Sequence, residues 1–141
     1  MGQAGEVADR ITDAMNRKDF DAVRELYAPD AVGETPDAGT LRGAEEIVDY
    51  LRKFTDAFPD FSYELVTASE GGDTAVDEGY VTGTHKGTLT TPDGQSIPAT
   101  GKSVRLRTCD VATFKDGRAT SHRFYFDQME VLTQLGLTSE R

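Results

Sequence analysis

The strongest constraint on the fold is a change of period at Pro59. Before it, apolar residues recur at helical spacing; after it, they alternate with polar ones as in strands. Val7, Ile11, Ala14 and Met15 predict a first helix over residues 4–17. Asp19 stands where an N-cap belongs, ahead of a short second helix carrying Phe20, Val23, Leu26 and Tyr27 and stopped by Pro29. A short strand is predicted at 31–34. Gly43 precedes a third helix with Ile47, Val48, Leu51, Phe54 and Phe58 on one side, and Pro59 ends it.

Past Pro59, Phe61, Tyr63, Leu65 and Thr67 alternate with Ser62, Glu64, Val66 and Ala68. Gly71-Gly72 turns the chain into a strand over 74–85, and Thr91-Pro92-Asp93-Gly94 makes another turn. A long strand follows at 101–114. Asp116-Gly117 is a hairpin signal, and the last strand runs 118–126. A final helix holds Met129, Val131, Leu132 and Leu135, with Gly136 as its C-cap. Helices followed by a meander predict an α+β domain: about three N-terminal helices and a short C-terminal one against a curved antiparallel sheet. No linker or repeat interrupts residues 1–141, so one domain is expected.

Charge narrows the partners. Asp and Glu number 25 against 15 Lys and Arg, a net charge of −10. Phosphate backbones and anionic membranes need clustered cations, so neither nucleic acid nor a membrane surface is an expected partner. The single cysteine, Cys109, forms no internal disulfide and reads as a buried, inert thiol. Charged residues interrupt the first 30 positions, so no signal peptide is read there and the cytoplasm is the expected compartment. His85 and His122 lie on different strands without further ligands at metal spacing, so no metal is expected.

The end of the last strand holds the leading chemical candidate. Phe124-Tyr125-Phe126 stops at Asp127, where the final helix begins. A carboxylate among aromatic rings is disfavoured as an anion, and a raised pKa suits it to moving protons. The alternative is that Asp127 caps the helix, which lowers its pKa and contributes about 1 kcal/mol.

Hairpin register bears on that choice. A three-residue Lys115-Asp116-Gly117 loop with a bulge, the form the sequence favours, places Asp127 opposite Arg105. A two-residue Asp116-Gly117 loop places it opposite Leu106. The bulged form gathers Arg105, Arg107, Arg123, Tyr125 and Asp127 on one face, as a polar pocket wall or as a solvated or dimer surface. The other face takes Leu106, Phe114, Phe124 and Phe126, which look like core, together with Asp110 and His122, which do not. His85 is placed to hydrogen-bond a carbonyl or to serve as a strand-end structural residue; His122 reads as structural or exposed.

Several segments in order carry a resemblance. They are Asn16-Arg17-Lys18-Asp19-Phe20, Leu26-Tyr27-Ala28-Pro29-Asp30, Ala57-Phe58-Pro59-Asp60-Phe61 and Gly83-Thr84-His85-Lys86-Gly87. Ile97-Pro98-Ala99-Thr100-Gly101-Lys102, Asp116-Gly117-Arg118 and the tail from Tyr125 to Gly136 complete the set. Together they resemble the SnoaL-like branch of the NTF2-like superfamily. The resemblance implies a cone-shaped α+β fold with an internal pocket and homodimers packed through the sheet. It also implies an activity like that of the polyketide cyclases: ring closure by intramolecular aldol reaction, without metal or cofactor, with the carboxylate after the last strand as acid/base. That carboxylate matches Asp127.

The cyclases also carry an imidazole on the strand before the last. The corresponding strand here, 101–114, has none, which leaves Arg105 or Arg107 as enolate-stabilising donors. A ketosteroid-isomerase-like variant would need a tyrosine in the first helix, and none occurs there.

The expected site is therefore Asp127 as catalytic acid/base, with His85, Arg105, Arg107 and Tyr125 on a small apolar carbonyl compound. Two alternatives accompany it: a non-catalytic binding protein using the same pocket, and a dimeric fold unit with a vestigial one.

Overall fold

In the computed structural model, which describes residues 2–137, helix α1 spans Gln3–Arg17 and buries Ala4, Val7, Ala8, Ile11, Ala14 and Met15 along one stripe. Lys18 ends it in the left-handed conformation (φ 57°), donating its N–H to Met15 O, while the Asp19 N–H reaches Ala14 O. The Asp19 carboxylate then accepts from the Ala22 N–H at 3.1 Å and opens α2 (Phe20–Glu25), as its sequence position predicts. This helix ends before Pro29, which lies instead within strand β1 (Tyr27–Thr35). That strand is longer than the predicted one, and a short β2 (Gly39–Arg42) pairs back on it. Helix α3 (Ala44–Ala57) follows Gly43 and buries Ile47 and Val48 completely or nearly so.

The second half supplies β3 (Ser62–Gly71), β4 (Thr74–Thr84), the two-residue strands β5 (Leu89–Thr90) and β6 (Ser96–Ile97), β7 (Ser103–Lys115), β8 (Arg118–Phe126) and α4 (Gln128–Gln134). Six strands form one open sheet in the order β2-β1-β8-β7-β4-β3. All neighbours are antiparallel except β1 and β8, which run parallel, so the sheet is mixed where alternation predicted a purely antiparallel one. Strands β5 and β6 make a separate hairpin, β5 packing on α3.

The β7–β8 hairpin takes the two-residue alternative at its turn and then, past a bulge, leaves both predicted registers. Asp116 and Gly117 both have positive φ (54° and 79°), forming a two-residue turn that pairs Lys115 with Arg118. A bulge then leaves Thr120 as an extra residue on β8, its hydroxyl bonded to Thr113 O at 3.2 Å. Beyond the bulge Ala112 faces His122 and Thr108 faces Phe126. One further step sets Asp127 level with Arg107, rather than Arg105 or Leu106.

Two one-residue shifts restore the parity of the predicted bulged loop. Leu106, Asp110, Phe114, His122, Phe124 and Phe126 accordingly share a face, and α1 and α3 pack over it. The core lies in that layer, where Val23, Ile47 and Ala31 are fully buried. A second cluster of Ala57, Phe58, Val104 and Leu135 seats α4 against β7. There the Gln134 side chain bonds both backbone groups of Arg105, at 2.6 and 3.0 Å. No helix among the described residues is long and apolar enough to cross a membrane.

Candidate functional site

Between the helices and the concave face of the sheet lies a cavity of about 960 Å³. This sits at the upper end of small-molecule sites, roughly 300–1,000 Å³. Ile11 and Met15 from α1, Leu51 and Phe54 from α3, and Val81, Phe114 and Phe124 from the sheet make its walls largely apolar. Five polar side chains reach the same space from five different strands: Tyr27 (β1), Tyr63 (β3), Asp77 (β4), Asp110 (β7) and His122 (β8).

Sheet register sets their arrangement. Asp77 and Asp110 are direct partners across β4 and β7. Cβ atoms of such pairs stand about 4.5–5.5 Å apart, so the two carboxyls are neighbours on the cavity floor. On β7, Asp110 is two residues from Ala112, the partner of His122, so the imidazole lies diagonally across from it. Its Nε2 is 3.9 Å from Asp110 Oδ2, near enough for charge to be felt but beyond a hydrogen bond. The other ring nitrogen, Nδ1, is 2.7 Å from the Tyr27 hydroxyl. His122 also stacks on Phe124, with centroids 3.8 Å apart and planes 10° from parallel.

The Tyr27 phenol is pushed far above its ordinary pKa, first by burial and then by the Asp110 charge, so it stays protonated. Its hydrogen bond to Nδ1 and the facing Asp110 carboxylate together favour the tautomer with the proton on Nε2.

Tyr63 is held from outside the cavity. Asn16 on α1 accepts from the Tyr63 N–H at 2.7 Å and donates to its carbonyl at 3.4 Å. The ring crosses β4 over Gly79, where a Cβ would stand 2.6 Å from the Tyr63 hydroxyl and would also overlap Glu64 O. A side chain at position 79 would therefore displace the phenol. The Tyr63 hydroxyl is buried with no hydrogen-bond partner among the described residues, as is His122 Nε2. Its pKa is raised, by burial first and Asp110 next. Asp77 is 8% exposed and has no hydrogen-bond partner among the described residues. Burial, then the Asp110 charge, raises its pKa, while His122 partly opposes this.

The five residues singled out from sequence do not line this cavity. Asp127 is exposed and caps α4, its Oδ1 accepting from the Met129 N–H at 2.9 Å; its neighbours Phe126 and Gln128 line the cavity, and it does not. Arg105 lies on the outer face, stacked 3.6 Å from the Tyr80 ring centroid and paired with Glu64 at 3.0 Å. Arg107 pairs with Glu130 at 3.3 Å on that face, where Tyr125 is 51% exposed.

His85 is fully buried against Phe58, and its Nδ1 accepts from the Thr100 N–H at 3.2 Å. Burial lowers its pKa, which keeps it neutral, in a structural position at the root of the β5–β6 hairpin. Asp110 and His122 left a sequence trace, as polar residues on an otherwise apolar face. Tyr27 and Tyr63 left none, because alternation cannot separate a core tyrosine from one whose hydroxyl faces a cavity.

The fold has known counterparts. A candidate SnoaL-like polyketide cyclase from Jannaschia sp. CCS1 superposes with a TM-score of 0.83 at 20% identity, over 96% of this chain and 93% of that one. IdmH from Streptomyces antibioticus, described as a candidate polyketide cyclase, gives 0.81 at 26% identity over 96% and 99%. A Catenulispora acidiphila protein with a ketosteroid isomerase-like fold gives 0.76 at 20% identity over 94% of each chain. None of the curated proteins matches the sequence. The family model for the SnoaL-like domain matches residues 8–122, most of the chain, and the protein therefore belongs to the SnoaL-like family.

Proposed function

We propose that this protein is a cofactor-independent SnoaL-like enzyme, of the polyketide cyclase type, that transfers protons next to a carbonyl of an apolar substrate. The observation that carries this reading is that Asp110, His122 and Tyr63 line one apolar cavity, with His122 Nε2 and the Tyr63 hydroxyl lacking hydrogen-bond partners among the described residues. Asp110 takes a proton from the carbon beside the carbonyl, and the C–H electron pair moves into the enolate. The Tyr63 O–H and the His122 Nε2–H supply donors for the enolate oxygen. Attack of the enolate carbon on a second carbonyl of the same substrate forms the ring bond. The resulting alkoxide recovers the proton from Asp110, which restores the enzyme. IdmH, at 26% identity, supports the polyketide class.

The test is proton exchange at the carbon next to the carbonyl of β-tetralone in deuterated buffer, followed by NMR. Wild type is expected to accelerate exchange, and Asp110→Asn to lower the enzymatic rate by about a hundredfold or more. Exchange at the buffer rate with wild type, or at the wild-type rate with Asp110→Asn, overturns the reading. A second reading, a binding protein without turnover, draws on the 3.9 Å gap between Asp110 and His122. It predicts calorimetric binding of β-tetralone with no exchange.

The proposal extends to assembly and place. The outer face, with Tyr125 and the Arg105–Tyr80 stack, is the surface on which we expect a homodimer to form. The expected compartment is the cytoplasm, where Cys109 stays a free thiol.

A further inference from the structure

We propose that the ligand of this cavity carries a basic nitrogen, which docks as a cation against Asp77. The inference rests on the cavity being the substrate site.

Asp77 stands out among the described carboxylates. It is 8% exposed, faces Asp110 across the strand pair, and has no hydrogen bond or ion pair among the described residues. A buried carboxylate is ordinarily paired, because desolvating an isolated charge is expensive. Among the described lining residues the basic groups are Lys53, at the mouth, and His122, whose Nε2 faces Asp110 at 3.9 Å. Two acids therefore share one imidazole, and Asp77 is the acid left over.

The mouth of the cavity supplies no free counter-charge among the described residues, since its lining cation, Lys53, is held by Asp49. Glu45 is matched by Arg24 at 2.8 Å and Asp49 by Lys53 at 3.3 Å. Asp37 and Asp93, also on the lining, have only uncharged hydrogen-bond partners among the described residues, Tyr50 for the first and Thr91 and Gln95 for the second. The field in the cavity is negative from rim to floor, which repels carboxylate ligands and draws in cations. Aromatic walls suit the same guest: Phe54, Phe61, Tyr63 and Phe124 present rings to a ligand ammonium, and ring faces attract cations. An ammonium at Asp77 also leaves Asp110 free to act as the base.

Calorimetry with three matched probes tests this: naphthylethylamine, naphthylethanol and naphthylacetate, each against wild type and Asp77→Asn near neutral pH. Wild type is expected to bind the amine about tenfold or more tighter than the alcohol, and the acetate weakest. Asp77→Asn is expected to erase the amine preference while the alcohol affinity is kept, which also shows that the variant is folded. Equal affinities for amine and alcohol, survival of the preference in Asp77→Asn, or no binding of the amine each overturn the proposal. Exchange of β-tetralone is read separately. Exchange without amine preference sinks the cation site alone, whereas loss of exchange sinks the proton-transfer reading.

Discussion

The Tyr27 hydroxyl lies 2.7 Å from His122 Nδ1, joining the first strand of the sheet to the last across 95 residues of sequence. The two rings are nearly parallel, 19° apart, and both residues are buried. This contact fixes which imidazole nitrogen faces Asp110, so it links the parallel β1–β8 pairing to the chemistry of the cavity. Tyr27→Phe keeps the ring and removes the hydroxyl, leaving Nδ1 buried without a partner. We expect a loss of about 1–3 kcal/mol in urea unfolding, with a fall in β-tetralone exchange larger than that of a distant variant of equal stability.

Asp127 separates capping from catalysis. Asp127→Ala removes the acceptor for the Met129 N–H and is expected to cost about 1 kcal/mol, read by denaturant midpoint. Asp127→Asn keeps a capping oxygen and should exchange β-tetralone at nearly the wild-type rate. A collapse of exchange in Asp127→Asn with unchanged stability would return the acid/base role to that residue.

Gly79 is where the backbone makes room for the Tyr63 phenol. In Gly79→Ala the new methyl meets the phenol and the carbonyl oxygen of Glu64, and the second cannot swing away. Overpacking of this kind costs about 1–3 kcal/mol. The variant is expected to unfold earlier and to lose exchange activity through displacement of Tyr63, a movement visible as a changed tyrosine environment in near-ultraviolet circular dichroism.

Asp77 gives a pH signature. Its folded pKa is raised above the ordinary carboxylate value, by burial first and the Asp110 charge second. The folded state therefore holds this proton more tightly than the unfolded chain, and ionisation at higher pH works against folding. Below the unfolded value, Asp77 is protonated in both states and Asp77→Asn should match wild type. As pH rises through the folded value, wild type loses stability relative to the variant. Thermal melts across that range should show Asp77→Asn gaining on wild type toward neutral pH; a constant difference would refute the assignment.

The proposed homodimer makes a separate prediction. Tyr125→Glu places a carboxylate on the outer face of the sheet and should shift sedimentation from dimer to monomer while exchange per chain is retained. A wild-type monomer across the accessible concentration range would remove the dimer from the proposal.

Much of the architecture was legible from local pattern. Helical spacing of Val7, Ile11, Ala14 and Met15, the cap at Asp19 and the stop at Pro59 describe structure formed within a few residues. They need no knowledge of distant contacts. The alternation along β7 and β8 likewise set Asp110 and His122 beside Leu106, Phe114 and Phe124. That grouping survived although the favoured hairpin loop did not form, because the two-residue turn and the Thr120 bulge each shift the register by one and together preserve the face. The resemblance in ordered segments identified the family, and the match over residues 8–122 bears it out.

The site was decided at a longer range. Alternation defines two faces but not which one meets α1 and α3, so Arg105, Arg107, Tyr125 and Asp127 could be grouped from sequence without their exposure being known. The parallel pairing of β1 with β8 brings Tyr27 to His122, and the β4–β7 register sets Asp77 beside Asp110. Such pairings are chosen by how the whole sheet closes against its helices, a sum over many contacts far apart in sequence. The chain's periodicity thus determined its elements and family by itself, because these depend on local geometry. Only tertiary packing decided which acids face the cavity, because burial is a property of the assembled layers.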